Sequence, residues 1–149
     1  MLSEALGNNM RISKDRYYLN IAAAVASRST CLRKQYGAVI VNNDEIISTG
    51  YNGSPRGETN CCDAGKCYCQ THDTPITNTA AKHGLKYGSC VAVHAEQNAI
   101  ISASRKDMQG ATLYLACLSP DVDPVPCNIC DRMIKNAGIT RIVTRAGSF

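Results

Sequence analysis

His94, Glu96, Cys127 and Cys130 are the residues of this chain whose types and spacing could do chemistry. His94-Ala95-Glu96 offers one metal ligand and one carboxylate, and Pro126-Cys127-Asn128-Ile129-Cys130 offers two thiols. One imidazole and two thiolates suit zinc, and three protein ligands leave a coordination position for water, which marks a catalytic rather than a structural site. Such a set leaves the ion roughly neutral, yet able to lower the pKa of water bound to it towards 7. Glu96 follows the histidine by two positions, so it can stand beside the metal without joining it and move protons. A core histidine and a reducible dithiol would account for parts of the pattern. Neither explains the carboxylate or the pairing of the two motifs.

Each half reads as the start of a helix. Pro126 fits a first-turn proline, and a helix N-terminus favours thiolates. C-x-x-C places its sulfurs at i and i+3, which share a helix face. The spacing predicts helices over Ala95–Lys106 and Cys127–Asn136, the second with a buried stripe of Cys130, Met133, Ile134 and Ala137 and ended by Gly138. Strands are predicted at Thr112–Cys117 and Ile139–Thr144. Upstream, Ser13 caps a helix whose apolar stripe is Tyr18, Ile21, Ala22 and Val25. Gly37–Val41 and Glu45–Thr49 form a hairpin turned at Asn42-Asn43-Asp44. Helix, hairpin, then alternating helix and strand imply an α/β sheet with helices on both faces. After Thr144 little chain follows, so a fifth strand would be very short or absent.

The 149 residues make one domain, residues 1–149, with an ordinary 44% hydrophobic content. No run of about 18 apolar residues occurs, and Met1–Asn9 lacks a signal peptide's apolar core. The expected location is the cytoplasm, with no membrane partner. Nine cysteines, an odd number, point in a reducing compartment to metal rather than to disulfides. A net charge of +4 suits a phosphorylated small molecule. With 5% aromatic residues and no Trp there are few platforms for stacking nucleic acid, which makes it an unexpected partner. The stretch 58–93 has no sustained period and holds five cysteines and two histidines; it reads as a Cys-rich insertion that something else must order.

H-x-E followed by P-C-x-x-C is the signature of zinc deaminases acting on cytosine or adenine. With Arg28-Ser29-Thr30-Cys31 before Gly37-Ala38-Val39-Ile40, and Gly50-Tyr51-Asn52-Gly53-Ser54-Pro55-Arg56-Gly57 after it, the chain resembles the cytidine deaminase-like superfamily and, within it, the deoxycytidylate (dCMP) deaminases. The similarity runs over about residues 13–145. It implies a three-layer α/β/α sandwich around a mixed sheet of about five strands. It also implies hydrolysis of dCMP to dUMP and ammonia, often in a homo-oligomer (a hexamer), with dCTP plus Mg2+ as activator and dTTP as inhibitor. By position, His94, Cys127 and Cys130 would hold Zn2+ and Glu96 would shuttle protons. The backbone of Ala95 would meet the base, Asn52 the sugar or phosphate, and Arg33 and Gln35 the nucleotide. Ser119–Val125 departs from the family as an acidic, proline-containing insertion beside the active site.

Some members of that family carry a second, structural zinc. Cys31, Cys61 and Cys90 match the places of its ligands, with Cys67 or Cys69 as the fourth and Cys67 preferred. Such an ion would order residues 58–93 and contribute folding energy. The alternative is that these thiols, with His72 and His83, are buried or spare. Cys117, in an apolar strand, reads as plain core, Tyr114 as a sheet residue with substrate contact as the alternative, and Arg28, Arg33, Lys34 and Arg56 as solvated charges or phosphate ligands. Two other functions compete: a nucleoside or tRNA adenosine deaminase, and a non-catalytic zinc module, against which Glu96 argues.

Overall fold

The alternation of side chains in strand β1 (Tyr36–Asn42) decides the layering. In a computed structural model, which describes residues 11–67 and 90–149, Ala38 and Ile40 face one core while Val39 and Val41 face another, as a period of two requires. Strand β3 (Thr112–Cys117) divides Leu113 and Leu115 from Tyr114, and β4 (Arg141–Thr144) divides Ile142 from Val143. Both faces of the sheet are therefore buried, and helices cover each. The expected α/β/α sandwich is the observed fold.

Five strands run in the order β2-β1-β3-β4-β5. β1 pairs antiparallel with β2 (Glu45–Tyr51) and with β3, β3 pairs parallel with β4, and β5 (Gly147–Ser148) pairs antiparallel with β4. The fifth strand is thus present and only two residues long. The hairpin turns through Asn43 and Asp44, whose φ values of 50° and 63° are left-handed. Asn and Asp tolerate that region because their short polar side chains can bond locally.

Helix α1 (Lys14–Ala26) begins as expected at Ser13, whose hydroxyl accepts the Arg16 N–H at 3.1 Å. It buries Tyr18, Ala22 and Ala26 against the sheet, leaving Ile21 and Val25 at the margin of the contact. The small residues are needed because β1 passes very close: a Cβ on Gly37 would collide with the Ala22 carbonyl and the Ala26 nitrogen. Asp15 in the first turn takes a two-pronged bond from Arg141 at the start of β4, at 3.0 and 2.6 Å, and a bond from the Tyr114 hydroxyl at 2.8 Å.

The other face carries α3 (Ala95–Ile101), α4 (Arg105–Met108) and α5 (Asn128–Ala137), while α2 (Cys61–Ala64) follows the glycine-rich loop. The single helix expected over Ala95–Lys106 is broken in two. Ser104 takes the Asp107 N–H at 3.2 Å and donates to its carboxylate at 2.7 Å, so a new N-cap forms where the first helix would have continued. Pro126 also differs from expectation: it lies before the cap, which is Cys127 itself. β4 starts at Arg141 rather than Ile139, because the Ile139 N–H is spent on the Ile134 carbonyl at the left-handed Gly138 turn. Cys117 is half-buried at the strand end rather than a core residue. No helix among the described residues is long and apolar enough to cross a membrane.

Candidate active site

Two helix starts are fixed separately and meet. α3 is pressed onto β2: a side chain on Gly50 would collide with the Ala95 carbonyl and the Ala99 nitrogen, so only glycine permits this approach. The Ser48 hydroxyl donates to the Ala99 carbonyl at 2.6 Å, and the Asn98 amide donates to the Tyr51 carbonyl at 2.8 Å. Gly53 and Val93 exchange backbone bonds of 3.1 and 2.8 Å, which ties the glycine-rich loop to the segment leading into His94. His94 is the N-cap of α3, and its N–H is taken by the Gln97 side chain at 2.9 Å. On α5, Cys127 caps through its sulfur, which accepts the Cys130 N–H at 3.4 Å.

The three ligand atoms converge within 4.8 Å of one another. His94 Nδ1 lies 3.6 Å from Cys127 Sγ and 3.4 Å from Cys130 Sγ. Zinc–sulfur bonds of about 2.3 Å and zinc–nitrogen bonds of about 2.0 Å at tetrahedral angles require N···S separations of about 3.5 Å, so the donor set fits zinc. Among the described residues no other trio of His, Cys, Asp or Glu is gathered in this way. Burial holds the His94 imidazole below its ordinary pKa, hence neutral and able to ligate. Burial, with Glu96 adding to it, pushes the Cys130 thiol up, and burial pushes the Glu96 carboxyl up. Glu96 is 5% exposed. A dication reverses the preference of such acids for their neutral forms and favours thiolate and carboxylate.

Glu96, His94 and Cys127 line a cavity of about 200 Å³ together with Arg33, Lys34, Asn52 and Ala95. Of the residues expected to meet a nucleotide, Gln35 does not line it; its amide donates instead to the Cys31 carbonyl at 2.6 Å. Asn52 does line it, but its amide is largely engaged. The oxygen accepts the Ser29 hydroxyl at 2.6 Å and the Tyr36 N–H at 2.8 Å, and the nitrogen donates to the Lys34 carbonyl at 2.9 Å. Asn52 thereby fixes the loop that carries Arg33 and Lys34. Cys31, Cys67 and Cys90 also line the cavity, whereas Cys61 is buried in α2. The Cys62 N–H donates to the Thr30 carbonyl at 3.1 Å, which brings α2 beside the Cys31 segment. These four thiols do not form a ligand group among the described residues, and Cys69, His72 and His83 lie outside those residues. Val125, the last residue of the Ser119–Val125 insertion expected beside the active site, lines the cavity, though sequence did not name it individually as a site residue. Tyr114 faces the α1 side, bound to Asp15.

Residues 12–146 match the family described as the cytidine and deoxycytidylate deaminase zinc-binding region. A deoxycytidylate deaminase of Schizosaccharomyces pombe is 36% identical over 136 residues, covering 91% of this chain but only 38% of the yeast protein. The chain thus spans little more than a third of that relative. A deoxycytidylate deaminase of Mycobacterium phage D29 is 38% identical, with 87% of this chain and 91% of the phage protein covered. The dCMP deaminase of cyanophage S-TIM5, solved in complex with dCMP and dUMP, superposes with a TM-score of 0.61 at 28% identity, covering 90% of this chain and 82% of that one.

Proposed function

The chain belongs to the cytidine and deoxycytidylate deaminase family, and on that premise we propose that it hydrolyses dCMP to dUMP and ammonia as one deaminase domain. The observation that carries this reading is the shared cavity. His94, Cys127 and Glu96 line it together with the cations Arg33 and Lys34, a pairing of deamination chemistry with groups suited to a phosphate.

His94, Cys127 and Cys130 hold zinc, which when bound supplies the Lewis acidity that makes water a competent nucleophile near neutral pH. Glu96 takes a proton from the attacking water and passes it to the pyrimidine ring nitrogen. It then carries a second proton to the amino group, so that the carbon–nitrogen bond breaks as the carbonyl forms and ammonia leaves. Ala95, fully buried at the head of α3, offers its backbone to the base. Asn52 holds the loop from which Arg33 and Lys34 reach the phosphate. Gln35 acts on the nucleotide through the same loop.

The family resemblance extends the proposal to a second, structural zinc on Cys31, Cys61, Cys67 and Cys90, to regulation by dCTP with Mg2+ and by dTTP, and to a hexamer in the cytoplasm. That Cys31, Cys67 and Cys90 all line the same cavity supports the metal, and exposed Ile101, Leu118 and Phe149 support burial against other copies. Ammonia release from a panel of cytosine and adenine nucleotides and nucleosides tests the function. We expect dCMP to exceed deoxycytidine in kcat/KM by about 100-fold, the worth of charge-assisted bonds to a phosphate. Equal values would place the chain among nucleoside deaminases.

A further inference from the structure

The segment between β3 and Cys127 is a built piece of the molecule. Its first residue, Leu118, donates its N–H to the Gln35 carbonyl at 3.0 Å, beside the loop bearing Arg33 and Lys34. Val122 closes a turn onto the Ser119 carbonyl at 3.2 Å. Pro124 is fully buried, which plants the far end of the segment in the fold. Arg145, just past β4, reaches over with its guanidinium to the Asp123 carboxylate at 2.9 Å and to the Val122 carbonyl. Between the planted proline and the metal ligand Cys127 stands Val125, an apolar side chain 68% exposed that lines the cavity.

We propose that Val125 is a substrate-contacting specificity residue, an apolar wall for the pyrimidine or sugar, and that Arg145 is the positioning residue that sets it in place. The inference rests on the proposed nucleotide deamination. An exposed valine lining a cavity of charged and metal-binding groups is covered when a ligand occupies the site, and that burial favours binding. Arg33 and Lys34 can draw in an anion but cannot grade the shape of its apolar part; Val125 can. Arg145 holds the segment through an exposed ion pair, its side chain 37% and that of Asp123 66% accessible. Such pairs contribute little to global stability. A change at Arg145 therefore reads out loop placement rather than folding.

The test is steady-state deamination of dCMP by wild type, Val125→Ala, Arg145→Ala and Arg145→Lys, with zinc content and melting temperature measured on each. Val125→Ala removes two methyl groups from the wall and should raise KM about tenfold with kcat within about twofold. Arg145→Ala should raise KM in the same direction at unchanged zinc content and melting temperature, and Arg145→Lys should recover part of the loss. KM within twofold of wild type in either alanine variant would overturn the proposal. So would a KM increase that tracks loss of zinc, which assigns the effect to Cys127. If wild type does not turn over dCMP, it is the functional reading that fails, and the same KM comparison is made on whichever substrate the ammonia-release panel identifies.

Discussion

His94 and Cys127 are the N-caps of two different helices, and Nδ1 of the one lies 3.6 Å from Sγ of the other. Capping residues sit at the point where the chain leaves extended backbone for helix, so their backbone is fixed by both elements. Two candidate ligands on two caps make a site whose width is set by how α3 and α5 pack on the sheet.

Glu96→Gln keeps the volume and burial of the side chain while removing its ability to carry a proton. Turnover should fall by about 10³-fold, within the range usual for lost general acid–base catalysis. Zinc content and far-UV circular dichroism should match wild type. Near-normal turnover in a variant with full metal content would remove Glu96 from the mechanism.

Metal analysis separates the two proposed ions. Wild type should carry two zinc ions per chain, and Cys127→Ser should lose the catalytic one together with activity. Cys31→Ser should lose the other and unfold at lower temperature, because bound metal is folding energy in a segment without a periodic core of its own. A single zinc in fully folded wild type would leave the second site unsupported.

Gly50→Ala probes how tightly α3 is seated. The added methyl meets the helix backbone at Ala95 and Ala99, which cannot swing aside as a side-chain tip can. A loss of about 1–3 kcal/mol is expected by equilibrium denaturation. Activity should fall further than stability alone accounts for, since Glu96 is the next residue along the displaced helix. Unchanged stability and rate would show that α3 shifts freely.

Acid stability depends on Asp15. The Arg141 guanidinium holds its carboxyl below the usual 3.8, with burial opposing and the Tyr114 hydroxyl assisting. A depressed folded pKa means that this contribution is present above the unfolded value and is lost as pH falls through the folded one. Both side chains are about 40% exposed, at 41% and 39%, so Asp15→Asn should cost only about 0.5–1 kcal/mol at pH 7. In denaturant titrations the gap to wild type should close at strongly acid pH. A gap that persists there would assign the loss to hydrogen-bond geometry rather than to charge.

The sequence by itself marked the candidate site and determined the layers. His94, Glu96, Cys127 and Cys130 are legible because ligand chemistry restricts residue type and helix starts restrict spacing. The sheet is legible because Ala38 to Val41 and Leu113 to Leu115 are apolar at every position and bounded by turn residues, as suits a strand buried on both faces. Tertiary structure decided what depends on partners distant along the chain. Asp15 meets Arg141 across 126 positions, and Arg145 meets Asp123 across 22. The Asn52 amide turns to Ser29, Lys34 and Tyr36, although the family resemblance implied a contact with the sugar or phosphate. The break at Ser104 is local in cause, yet serine in a helical pattern permits both continuation and a cap. No periodicity records such choices, because each is a hydrogen bond or a close approach that exists only once the sheet has brought the two segments together.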